Sequence, residues 1–191
     1  MNNQNQEILD WLRCAEEYLE TFVILLENSL TTSRSGCTRP TIVNFGYFLE
    51  NLLKAGIIRK NNLAESEIFA HVSEKLLTEA GYNNLSKSER EIVEFLAETV
   101  KWGKYPKRGK GDRGEMLSSS SGIVFSDQTM FFTCPNNLKS LLEFSFRLLE
   151  DIRLILCTDQ TEEDKIYFTD TFDRLIYLMK RSLERLEPHC K

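Results

Sequence analysis

The chain has 191 residues, 41% of them hydrophobic and 28% charged, with a net charge of −5. That is long enough for one domain with a sizeable core, and the acidic balance argues against wholesale coating of nucleic acid. No apolar run approaches the roughly 18 residues of a spanning helix, and Met1 to Gln6 has neither the basic start nor the apolar stretch of a signal peptide, so a cytoplasmic setting without a membrane partner is expected.

From Gln6 to about Leu30, apolar residues such as Ile8, Leu9, Leu12, Ala15, Leu19, Phe22 and Leu26 recur at three- and four-residue spacing, which predicts a long amphipathic helix. Glu16, Glu17, Glu20 and Glu27 form its expected solvated face. Thr38 and Pro40 read as the N-cap and early proline of a second helix reaching about Arg59, with Gly46 at its middle. Ser66 is the expected cap of a third helix carrying Ile68, Phe69, Val72, Leu76 and Leu77 on one face, with Gly81 as its stop. Ser86 and Glu89 have the spacing of a capping box for a fourth, ended by Gly103 and Pro106.

Between Gly103 and Pro135 four consecutive serines and five glycines read as a flexible insertion. Its Ile123-Val124-Phe125 and Met130-Phe131-Phe132 runs suit either a small hairpin or packing back on the helices. Asn136 or Asn137 is the expected cap of a fifth helix, and Thr161 with Asp164 resembles the capping box of a sixth that Pro188 stops. The expected fold is an all-α bundle of five to six helices with one long loop at about 103–135, all in a single domain over 1–191.

Five dispersed cysteines give neither a disulfide framework nor zinc-ligand spacing. Cys14 and Cys157 are expected to be small core residues. No Walker-type loop, paired metal-binding carboxylates or Ser–His–Asp arrangement stands out, and no metal or cofactor is expected. Acidic residues read as helix exteriors. Charge is strongly segregated: residues 101–113 hold Lys101, Lys104, Lys107, Arg108, Lys110 and Arg113 against Asp112, a local +5 that leaves −10 for the rest. Such a run with Tyr105 can follow a phosphate backbone and stack on an unpaired base, and it equally suits a solvated loop or an acidic protein partner.

Gly46, Tyr47, Leu49, Glu50, Asn51, Leu52, Leu53, Lys54 and Ala55, then His71, then Trp102, Gly103, Tyr105 and Pro106, resemble in order the motifs of the HEPN helical bundles (higher eukaryotes and prokaryotes nucleotide-binding). His71 is followed by Val-Ser rather than Asp-Leu, and Lys104 stands where arginine is usual. The resemblance covers about a third of the chain. It implies a compact helical bundle, commonly a homodimer or joined to a cognate partner, in bacterial defence or toxin–antitoxin systems. Many such proteins are metal-independent ribonucleases using an Arg-to-His motif with four to six residues between. Here no arginine precedes a histidine at that spacing; Arg185 and His189, with three between, come nearest. The sequence therefore favours a non-catalytic module binding RNA, a nucleotide or a protein partner. The alternative is a ribonuclease using His71 or His189 for proton transfer and an arginine such as Arg185 for phosphate charge. His71 also suits plain helix packing, and Arg185–His189 a frayed terminus.

Overall fold

The computed structural model describes residues 3–31, 39–61, 71–104, 134–158 and 162–190. Among them are six α-helices and no strand: α1 (Asn3–Thr31), α2 (Arg39–Asn61), α3 (Glu74–Ala80), α4 (Lys87–Lys104), α5 (Pro135–Cys157) and α6 (Glu162–Leu186), with a closing 3-10 turn at Glu187–His189. The chain is all-α, as its periodicity predicts. The 105–133 part of the expected insertion, with its hairpin, lies outside the described residues, as do Thr38, Ser66 and Thr161.

Four long helices close a ring, α1 packing on α2 and α6, and α5 on the same two. Asn5 meets Asp164, Glu16 meets Arg174 and Glu27 meets Arg181, so α1 and α6 run parallel. Gln4 bonds the Ile58 carbonyl while the Phe22 ring packs, tilted, against Phe45, so α1 and α2 run antiparallel. Arg153–Asp173 and Lys139–Glu187 set α5 antiparallel to α6. The result is a four-helix bundle with one long crossover, on which α3 and α4 pack against α2.

The stripe of α1 that periodicity marks is buried from Ile8 through Leu12, Ala15, Leu19 and Phe22 to Leu26. It meets Phe45 and Phe48 of α2, the ring centroids of Phe22 and Phe45 lying 4.8 Å apart and those of Phe45 and Phe48 5.3 Å apart. Each fully buried leucine or phenylalanine contributes roughly 1.5–3 kcal/mol over an exposed one, so this seam dominates the fold.

Several local expectations are corrected. Among the described residues the third helix is a short one beginning at Glu74, because Ser73 caps it and accepts from the Leu76 N–H at 3.3 Å. His71 therefore lies in the segment leading into that helix, not on a helical face. Neither Asn136 nor Asn137 caps α5; Cys134 takes that position without a side-chain bond, and Pro135 follows with its φ already preset. Helix α4 runs through Gly103 to Lys104. Cys14 is exposed, since it sits about 100° around α1 from the Ala15 stripe, while Cys157 is half-buried against the core. Glu16 and Glu27 do not face free solvent but pair with arginines of α6. Gly81 stops α3 as expected, in the left-handed region at φ 105°.

Gly46 is a requirement of packing. A Cβ there would stand 2.1 Å from Cγ2 of Val100 on α4. We expect Gly46→Ala to destabilise the chain by about 1–3 kcal/mol despite alanine's better helix propensity. In a double-mutant cycle followed by urea unfolding, Val100→Ala should cost less in that background than alone.

The Ser86–Glu89 capping box forms as predicted, with Ser86 N–H donating to Glu89 Oε2 at 2.7 Å and Glu89 N–H to Ser86 Oγ at 3.3 Å. Glu89 also takes the Arg147 guanidinium of α5. The Ser86 bond first, then Arg147, hold the Glu89 carboxyl down at about 2. A carboxyl depressed in the folded state adds stability above its unfolded pKa and loses it as pH falls toward the folded one. Urea midpoints should therefore drop between about pH 4.5 and 2, and Glu89→Gln should flatten that drop.

Candidate functional site

Helix α2 carries two charged side chains through its apolar middle. Glu50 and Lys54 are 6% and 8% exposed, although Phe48, Leu49, Leu52, Leu53 and Ala55 around them are core residues. One turn apart, they share a face, and Lys54 Nζ donates to Glu50 Oε1 at 2.8 Å. The second carboxylate oxygen, Oε2, meets His71 Nδ1 at 3.2 Å. Lys54 Nζ in turn lies 4.7 Å from the centroid of the Trp11 ring on α1. A desolvated carboxylate is tolerated when its lone pairs are filled, and here a lysine and a histidine fill them.

The His71 ring is 55% exposed at its side chain. An ionised carboxylate only accepts, so Nδ1 carries the proton in this contact. The segment is held at its other end by Ser73 Oγ, which donates to the His71 carbonyl at 2.9 Å. An imidazole oriented by a buried carboxylate, with its side chain half-exposed, can exchange a proton or a hydrogen bond at its second nitrogen. Two tyrosines lie one turn along the seam: Tyr18 of α1 and Tyr47 of α2 have centroids 5.1 Å apart. Burial first, then the neighbouring Tyr47, Cys14 and Glu50, push the Tyr18 phenol above its usual value.

Arg185 and His189 lie elsewhere, at the far end of α6. Arg181 grips Glu27 of α1 in a two-pronged pair at 2.8 and 2.7 Å, and Arg185 Nε donates to the same carboxylate at 3.1 Å. The Arg181 bond is the main reason the Glu27 carboxyl sits below its ordinary value, with Arg185 adding to it. Arg185 and His189 line one cavity of about 370 Å³ with Glu27, Leu30 and Pro188. The structure thus brings Arg185 and His189 to one cleft and leaves His71 apart from them, in the segment before α3 and bonded to Glu50 of α2. Among the described residues no arginine bonds to Glu50, Lys54 or His71.

Of the basic segment, Lys101 is exposed on the last turn of α4, directly after the Val100 that packs on Gly46. Lys104 is the last residue of α4, and Tyr105, Lys107, Arg108, Lys110 and Arg113 lie outside the described residues. Gly46, against which Val100 packs, is one α2 turn from Glu50.

Sequence reading missed Glu50, Lys54, Trp11, Glu27 and Arg181 as partners. The available signal was a Glu and a Lys four apart inside an otherwise apolar stretch of α2. Comparison of the chain with family models, with curated proteins and with solved structures finds no match. The likeness to HEPN bundles rests on the motif residues alone.

Removing one member of a buried ion pair strands the other. Lys54→Met should cost about 3–5 kcal/mol in urea unfolding, while Glu50→Leu with Lys54→Met together should recover most of that loss. His71→Ala, at a half-exposed site, should cost much less.

Proposed function

We propose that this chain is an RNA-binding module of HEPN-like type, serving a prokaryotic defence or toxin–antitoxin system and holding RNA without cutting it. The observation that carries this reading is the basic run that begins at exposed Lys101 on the last turn of α4, the helix whose Val100 packs on Gly46 of α2; α2 also carries Tyr47, paired with Tyr18, and Glu50, bonded to the His71 ring. Six cationic side chains over 101–113 supply phosphate attraction in a chain otherwise acidic. The half-buried tyrosines and the imidazole supply flat faces and a hydrogen-bonding edge for an unpaired base. Because the rest of the surface repels phosphate, binding is confined to this region.

A second reading is favoured by one feature, the Glu50–His71 hydrogen bond. A carboxylate-oriented imidazole is what a metal-independent ribonuclease needs for proton transfer, with an arginine such as Arg185 or a residue of the basic segment holding the phosphate.

Filter binding to single-stranded RNA at several salt concentrations tests the first reading. Lys107→Ala, Arg108→Ala and Lys110→Ala together should weaken binding and reduce the log–log salt slope by roughly 2 to 3; unchanged affinity and slope would remove the segment from the mechanism. In the same samples, end-labelled RNA incubated in EDTA should stay intact. Cutting that disappears in His71→Ala or in His189→Ala would replace the binding reading with the nuclease one and identify the histidine.

A further inference from the structure

A single carboxylate on α2 is shared between two basic groups. Glu50 Oε1 takes Lys54 Nζ at 2.8 Å, and Oε2 takes His71 Nδ1 at 3.2 Å. The two partners differ in their surroundings. Lys54 is buried with Glu50, and the Trp11 ring, 4.7 Å from its ammonium, favours the charged form. The His71 side chain is half-exposed. Lysine is the stronger base, so its charge neutralises Glu50 before the imidazole competes for it.

A proton added to His71 would then leave two positive charges around one negative charge, at the edge of an apolar interior. A neutral imidazole meets the same oxygen through its Nδ1–H without that repulsion. Other groups on the neighbouring elements leave this balance in place. From α1 come Trp11, Tyr18 and Cys14, none of them charged at neutral pH. On the chain that follows His71, Glu74 reaches Arg90 and Lys75 reaches Glu79.

We infer that Lys54 is a positioning residue for His71: by occupying one side of the Glu50 carboxylate it keeps the imidazole neutral and protonated at Nδ1. Removing the lysine charge hands the whole negative charge to His71, which then holds a proton to higher pH. Lys54 and His71 are thus rivals for one carboxylate, and the three groups titrate as a unit. The consequence for ligand binding rests on the RNA reading: His71 serves there as a hydrogen-bonding edge, and phosphate attraction is left to the basic segment.

The chain has two histidines, so the imidazole Hε1 resonances of the full chain without RNA report His71 directly. His189, at the end of α6, is an internal reference, and His71→Ala assigns the two signals. Lys54→Gln should raise the His71 titration midpoint by about one pH unit, solvent screening at the half-exposed ring limiting the shift, and should leave His189 in place. Lys54→Arg, which keeps the charge, should hold His71 at its unaltered midpoint, and Glu50→Gln should lower it. A midpoint that Lys54→Gln leaves unmoved or lowers, or that Lys54→Arg raises as far, would overturn the proposal. The unaltered chain gives a test that needs no variant: near pH 7 its nitrogen chemical shifts should show His71 neutral with the proton on Nδ1, and an imidazolium or an Nε2–H form would overturn the proposal equally. RNA binding is read separately. A cationic His71 in Lys54→Gln should steepen the log–log salt slope by roughly 0.7; the expected midpoint shifts in a chain that binds no RNA would uphold the charge sharing and remove the RNA reading.

Discussion

A charge buried in the middle of α2 sets much of the rest of this structure. Glu50 sits where neighbouring side chains are apolar, and an ionised carboxylate out of water needs filled lone pairs. Lys54 supplies one partner from the same helix, and its own ammonium is covered by the Trp11 ring of α1. His71 supplies the other and comes from the segment just before α3. One carboxylate thus links α1, α2 and the lead-in to α3. A buried pair of this kind adds little net stability over an apolar replacement, but breaking it is costly. Its effect is to specify an arrangement: the histidine is tied to α2 through its Nδ1.

The second constraint is steric. Gly46 removes a side chain where α4 crosses α2, and Val100 occupies the space. That contact decides where α4 ends on the bundle, and with it where the basic residues begin. Lys101 follows that contact on α4, and α2 carries Tyr47 and Glu50 within about a turn of Gly46.

The bundle separates its charges by role. Glu16 and Glu27 tie α1 to α6 through arginines, Glu89 ties α4 to α5, and Glu50 is internal. On the outward face of α6, Asp173 reaches Arg153, while Asp170 and Lys180 make no ion pair among the described residues. Arg185 and His189 share a cleft, yet Arg185 is already bonded to Glu27, which leaves it less free to take a phosphate.

Much of the fold is legible in residues alone. The spacing of Ile8, Leu12, Leu19 and Phe22, the Ser86–Glu89 box, Gly81 after α3 and Pro188 after α6 each act over one or two turns, so neighbouring residues decide them. The caps of α3 and α5 differ from expectation, since Ser73 and Cys134 hold those positions, while Ser66 lies outside the described residues. Local pattern could not show that Glu50 is internal, that His71 leaves the helix to meet it, or that Glu27 gathers two arginines 154 and 158 residues away. Those contacts join segments distant in sequence, and their geometry exists only after α1, α2 and α6 have packed. The sequence by itself determined the helices, their buried stripes and the uneven charge. The tertiary structure decided which charged side chains were desolvated, and therefore which had to find one another.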